Sequence, residues 1–133
     1  MRMLSMVVLL LLAGCATLNQ PECQAVQANP AQKGLADGKA GYGLWRLDKH
    51  VESCARFGIT FDRSAYLAAR DQGLLQYCTP ENGQIVGARG ESYEDVCPAA
   101  MEPAFLKTYR PAYREYQIDR AGNNDSMFWP RRF

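Results

Sequence analysis

LWRLDKHVESCARFGITFDRSAYLAARDQGLLQYC, residues 44–78, is the stretch that decides the fold. Leu44, Leu47, Val51, Cys54 and Phe57 recur at intervals of three and four, the spacing of one helical face. Gly58 follows where a helix end favours left-handed backbone. Thr60 and Asp62 are both good N-caps for a second helix. On that helix Leu67, Leu74 and Cys78 repeat, flanked by Tyr66, Gly73 and Tyr77. Thr79-Pro80 closes it, because a residue before proline avoids the α region. Two helices joined by a short link read as an αα-hairpin.

Downstream, residues 79–97 change character. Asn82-Gly83, Gly87 and Gly90 read as turns, and an ordered Gly-rich loop is favoured over a short β-ribbon. Pro98 suits a first helical turn. Phe105, Tyr109, Ala112 or Tyr113, and Tyr116 then continue an apolar helix face, which Pro111 should kink or interrupt. Residues 121–133 read as a loose tail ending in the aromatic-basic cluster Met127, Phe128, Trp129, Arg131, Arg132 and Phe133.

Upstream, residues 15–32 carry Asn, Gln, Ala and two Pro, and read as an irregular tether. Asp37-Gly38, Gly41 and Gly43 do not form GxGxxG or GK[ST], so they offer no phosphate cradle. They read as a helix with small residues for close packing, or as a turn. No internal repeat of 20 to 50 residues is evident. The expected fold is mainly α: a small disulfide-stapled helical domain over residues 33–120, with αα-hairpin, Gly-rich loop and kinked C-terminal helix.

The amino terminus reads as an address. Arg2 precedes an apolar run over residues 4–13 broken only by Ser5. Ten residues make roughly 15 Å of helix, while a bilayer core needs about 20 residues. That is the h-region of a signal peptide, residues 1–14. Leu12-Ala13-Gly14-Cys15 resembles the bacterial lipobox, which implies cleavage before Cys15, thioether lipidation of its sulfur and acylation of the new terminus. Two or more acyl chains anchor stably; one does not. Ala16 is not the aspartate that often retains such proteins at the inner membrane, so the expected location is the outer membrane, facing the periplasm. Loss of Arg2 would leave 14 basic against 14 acidic residues, so charge gives no grip on nucleic acid.

Four cysteines remain: Cys23, Cys54, Cys78 and Cys97. An even number in a small exported domain reads as two disulfides, with three possible connectivities. Cys78–Cys97 with Cys23–Cys54 is preferred, because the first bridge closes the Gly-rich loop. His50 and Cys54 are four apart, a spacing zinc sites use. With no second histidine and no CxxC, the expectation is no metal and no cofactor, with His50 on the surface or at a cap and no orienting carboxylate on its own helix.

Taken in order, several motifs resemble a family of small proteobacterial lipoproteins, domain of unknown function 2799. They are Asp37-Gly38-x2-Gly41, His50-x3-Cys54, Gly58, Asp62, Tyr66, Gly73-Leu74, Tyr77-Cys78-Thr79-Pro80-Glu81-Asn82, Gly87-x2-Gly90, Tyr93 and Val96-Cys97-Pro98, followed by Phe105 and Tyr109. The resemblance spans residues 23–110. It implies a lipoprotein and transfers no activity.

Three functions remain in view. The leading one is a non-catalytic interaction or structural module, anchored through Cys15 and meeting an envelope protein or glycan. The second is an envelope hydrolase acting on cell wall or lipid. Only one histidine and neither GxSxG nor HExxH speak for it, and Asp62, Asp71, Glu91, Glu94 and Asp95 suit caps and solvated faces. The third is a stripe for anionic lipid or glycan, with Arg110 and Arg114 four apart among Tyr109, Tyr113 and Tyr116.

Overall fold

The structure is a computed structural model that describes residues 17–128, with side chains described through residue 123. Among the described residues it is helical and without strands. Helix α1, Gln20–Ala28, starts at a capping box. The Asn19 side chain accepts from the Glu22 N–H at 2.9 Å, and Glu22 accepts from the Asn19 N–H at 2.7 Å. Asn29 then caps α2, Pro30–Lys39. Helix α3, Trp45–Ala55, leads through the Gly58 turn (φ 67°) to α4, Arg63–Tyr77. Asp62 caps α4 by accepting from the Ser64 and Ala65 N–H groups at 2.8 and 3.1 Å. Thr79 caps α5, Pro80–Ala88, and α6 runs Glu102–Phe128.

Five expectations are corrected. The segment read as an irregular tether contains α1, whose Cys23 and Val26 are buried; its small polar residues form caps. Residues 79–97 are not all loop, because Thr79 and Pro80 start a helix whose glycines face a neighbour. Helix α6 continues uninterrupted through Pro111 and on through residues 121–128, which read as tail. Helices α3 and α4 do share a short link, but the close helix packing is α2 on α4 and α5 on α6.

Those two pairings follow one plan, which is the internal repeat that sequence reading missed. In α2, a Cβ on Gly34 would strike the Tyr66 carbonyl and one on Gly38 the Arg70 carbonyl. Gly41 lies at φ 72° beneath the Tyr77 ring. In the second pair, a Cβ on Gly83 would meet the Phe105 carbonyl at 2.6 Å and one on Gly87 the Tyr109 carbonyl at 2.6 Å. Gly90 lies at φ 70° beneath the Tyr116 ring. The glycines keep one spacing, and so do their partners: Tyr66, Arg70, Gly73, Tyr77 against Phe105, Tyr109, Ala112, Tyr116. Backbones this close admit no side chain, so glycine is required despite its helix penalty of about 1 kcal/mol.

The two disulfides tie in what the helix pairs leave outside, and one of them links the two units. Cys23–Cys54 ties α1 to α3, and Cys78–Cys97 ties the end of α4 to the segment before α6. The preferred connectivity is the one present. The first bridge sits in a small cluster with Leu18 and Val26. The second borders the larger cluster of Leu74, Tyr77, Val86, Phe105 and Tyr109.

Candidate functional site

The chemically richest constellation is buried in the first unit. Asp37 on α2, His50 on α3 and Tyr66 on α4 meet where three helices converge. His50 Nε2 lies 2.7 Å from Asp37 Oδ2, and the Tyr66 hydroxyl donates to the same oxygen at 2.6 Å. Lys33 approaches the other oxygen at 3.6 Å. His50 and Tyr66 are fully enclosed and Asp37 is 3% exposed.

The electrostatics fix the protons. Burial works to raise the Asp37 pKa, but the hydrogen bonds from His50 and Tyr66 and the nearby Lys33 outweigh it, so the carboxyl is held below its ordinary value. The carboxylate is therefore ionised and accepts, which places the proton on His50 Nε2. Burial, and then the bond to Asp37, push the Tyr66 hydroxyl well above its ordinary value, so it stays a donor. His50 Nδ1 is buried and meets no hydrogen-bond partner.

His50 is thus corrected from a surface or capping residue to the centre of a buried network. Its orienting carboxylate comes from another helix, thirteen residues upstream. No spacing rule on one helix could have found it; Asp37 in a glycine-rich, close-packed helix was the available signal. Nearby, Arg70 is also buried and donates from Nε and Nη2 to the Tyr42 carbonyl at 3.2 and 2.6 Å, holding the turn after α2.

The other candidate residues scatter. Cys54, four residues from His50, is bonded to Cys23, so no thiolate faces the imidazole. Among the described residues no group of three or more His, Cys, Asp or Glu is placed to hold a metal. Asp62 is a cap. Asp71 is exposed beside Arg70, and Glu91 pairs with Arg89 at 3.7 Å. Glu94 accepts from the Gly43 N–H and the Trp45 indole N–H. Asp95 holds a turn at φ 53°. Arg110 and Arg114 are exposed on α6, while Tyr109 is buried and Tyr113 and Tyr116 are half-buried. The three tyrosine rings stack in series at 5.4 and 6.4 Å. Cys15 lies outside the described residues. No helix among those described is long and apolar enough to cross a membrane.

Fold and network together define a small helical module of two close-packed helix pairs stapled by two disulfides, one pair built around a sealed carboxylate. Residues 29–114 match the family described as Protein of unknown function (DUF2799), and the chain belongs to that family. No curated protein and no solved structure matches the chain.

Proposed function

We propose that the protein is a lipid-anchored lipoprotein of the cell envelope, its domain facing the periplasm as a non-catalytic interaction or structural module. The observation that carries the module reading is the enclosure of Asp37, His50 and Tyr66. These are residue types fit for acid–base work, yet a general base must reach the proton it takes, and His50 has no exposed surface. The acceptor bonds of Asp37 are spent inside the protein on His50 and Tyr66, where they join three helices. The anchor reading is supported by Leu12-Ala13-Gly14-Cys15 after a short apolar run. Two bridges in so small a domain suit an oxidising compartment.

The experiment is metabolic labelling with a fatty-acid analogue. The protein should take up label and partition with outer membranes, and Cys15→Ser should abolish both. Labelled, membrane-bound Cys15→Ser protein would refute the anchor. A second reading is favoured by one observation: Arg110 and Arg114 lie exposed one turn apart with no ion-pair partner among the described residues. Such a stripe suits an anionic lipid or glycan surface.

A further inference from the structure

A cleft of about 530 Å³ lies where the two helix pairs meet. Its size is in the range of small-ligand sites, which favour such junctions. One wall is the turn after α2, with Tyr42, and Tyr77 at the end of α4; the other is α5 and the segment behind it, with Asn82, Arg89, Glu91 and Glu94.

The polar groups here are half committed. Asn82 Nδ2 donates to the Tyr77 carbonyl at 2.8 Å, which leaves its oxygen facing no protein donor. Glu94 uses one oxygen for the Gly43 N–H at 2.9 Å and the Trp45 indole N–H at 2.5 Å; its other oxygen is unused. The Tyr77 and Ser92 hydroxyls and the Lys39 ammonium make no hydrogen bond to another described residue. Donors and acceptors are therefore both on offer. Lys39 and Arg89 balance Glu91 and Glu94, so the cleft favours neither anion nor cation.

Beside it stands an aromatic ledge. Trp45 is 45% exposed, although its indole N–H is pinned by Glu94. The Tyr42 ring meets it edge-on at 6.3 Å, and Arg46 lies 4.4 Å over Tyr42 and 5.7 Å over Trp45. An exposed indole held in one orientation presents a fixed, electron-rich face. That face attracts electropositive C–H groups, while the cleft beside it offers bonds to hydroxyls that both give and accept protons.

We propose that this cleft binds a neutral saccharide, one sugar ring covering Trp45 and its neighbour's hydroxyls entering among Lys39, Tyr77, Asn82, Ser92 and Glu94. This rests on the interaction-module reading and names the partner's chemistry.

The test is titration of the purified, disulfide-bonded full chain, followed by fluorescence. The chain has two tryptophans, so Trp129→Phe leaves Trp45 as the reporter. The probes are neutral linear trisaccharides of glucose, galactose and N-acetylglucosamine units, with inorganic phosphate and an uncharged tripeptide as comparisons. At least one trisaccharide should give a saturable change with a dissociation constant of about 1 mM or tighter. Lys39→Ala combined with Ser92→Ala should weaken it about tenfold with the melting temperature unchanged. The proposal is overturned if no trisaccharide saturates, if the double variant binds equally well, or if only phosphate or the tripeptide saturates. Because binding is read on purified protein, its failure leaves the Cys15 labelling result standing.

Discussion

Asp37 in the first unit and Val86 in the second occupy the same place. Each carbonyl accepts from the residue after its left-handed glycine, Tyr42 N–H to Asp37 at 3.1 Å and Glu91 N–H to Val86 at 3.0 Å. Each side chain is buried beneath the facing aromatic helix. Opposite Asp37 stands Tyr66, whose hydroxyl it needs; the equivalent of Tyr66 is Phe105, which has none. The second unit fills the space with rings, Phe105 lying 5.3, 5.0 and 5.7 Å from Tyr77, Tyr93 and Tyr109. One backbone plan thus closes over an ionised carboxylate or over hydrocarbon. The glycine spacing builds the pair; the polar network is an addition to it.

The sharpest way to break this comparison is a mutational cycle. Asp37→Ala should cost about 3–5 kcal/mol, because His50 and Tyr66 stay buried with their acceptor gone. Asp37→Val with His50→Leu and Tyr66→Phe copies the second unit's chemistry and should recover at least about 2 kcal/mol of that loss, since apolar packing commonly replaces buried ionic groups without penalty. Urea denaturation reads both. A triple variant no more stable than Asp37→Ala would show that the two positions are not equivalent.

The bridges come next. Replacing either cysteine pair by serine should cost about 3 kcal/mol in the chain-entropy account. The sequence separations are 31 for Cys23–Cys54 and 19 for Cys78–Cys97. The logarithmic dependence makes the longer loop worth only about 0.4 kcal/mol more. Thermal unfolding of the two variants checks this. A much larger loss at Cys23–Cys54 would mean that α1, with few apolar contacts of its own, detaches when unbridged.

Acid should separate the units more gently. The Asp37 carboxyl is depressed in the folded protein against an ordinary 3.8, so the unfolded chain binds its proton first. The stability it contributes is present above pH 3.8 and lost as pH falls through the lower folded value. Hydrogen exchange in that range should quicken in α2 and α4 before α5 and α6, where the matching residue is Val86. Asp37→Asn should flatten this part of the acid limb. An unchanged limb in that variant would place the acid-sensitive group elsewhere. In alkali the sign reverses and both units are affected: burial raises Tyr66 and Tyr77 on α4, the latter to about 12, and Tyr93 before α6 to about 12, so their contribution holds below pH 10.0 and fades above it.

The helices with ordinary signals were legible in the residues: α3 and α4 from apolar spacing, their boundaries from Gly58, Asp62 and Pro80, and the cysteine pairing from the loop it closes. Helices α1, α2 and α5 were harder because their information lies in contacts. Gly83 and Gly87 look like turn formers until the Phe105 and Tyr109 carbonyls lie against them. Asn19, Asn29 and Thr79 look like linker chemistry until their side chains cap helices. The repeat was hidden because equivalent positions share spacing but not residue type: Asp37 against Val86, Arg70 against Tyr109. The buried site stayed hidden for a related reason, since His50 and Asp37 meet only after two helices have packed.

The smallest effect on stability should come from the stripe on α6, and it tests whether that face has a task apart from folding. Arg110 and Arg114 are exposed and unpaired among the described residues, while the tyrosines beside them stack on one another along α6. Replacing both by alanine should move stability by no more than about 0.5 kcal/mol, the usual range for surface positions. Binding should respond differently. Each cation near an anionic bilayer contributes about 1 kcal/mol, so retention on phosphatidylglycerol vesicles should fall roughly tenfold or more in the double variant at low salt. Added salt should erase the difference, because exposed charges are screened beyond about 10 Å at 0.1 M. The full chain bearing Cys15→Ser should be used, so that lipid anchoring does not mask the effect. Equal retention of both forms would leave these arginines as solvating charge. It would also confine recognition to the cleft between the units.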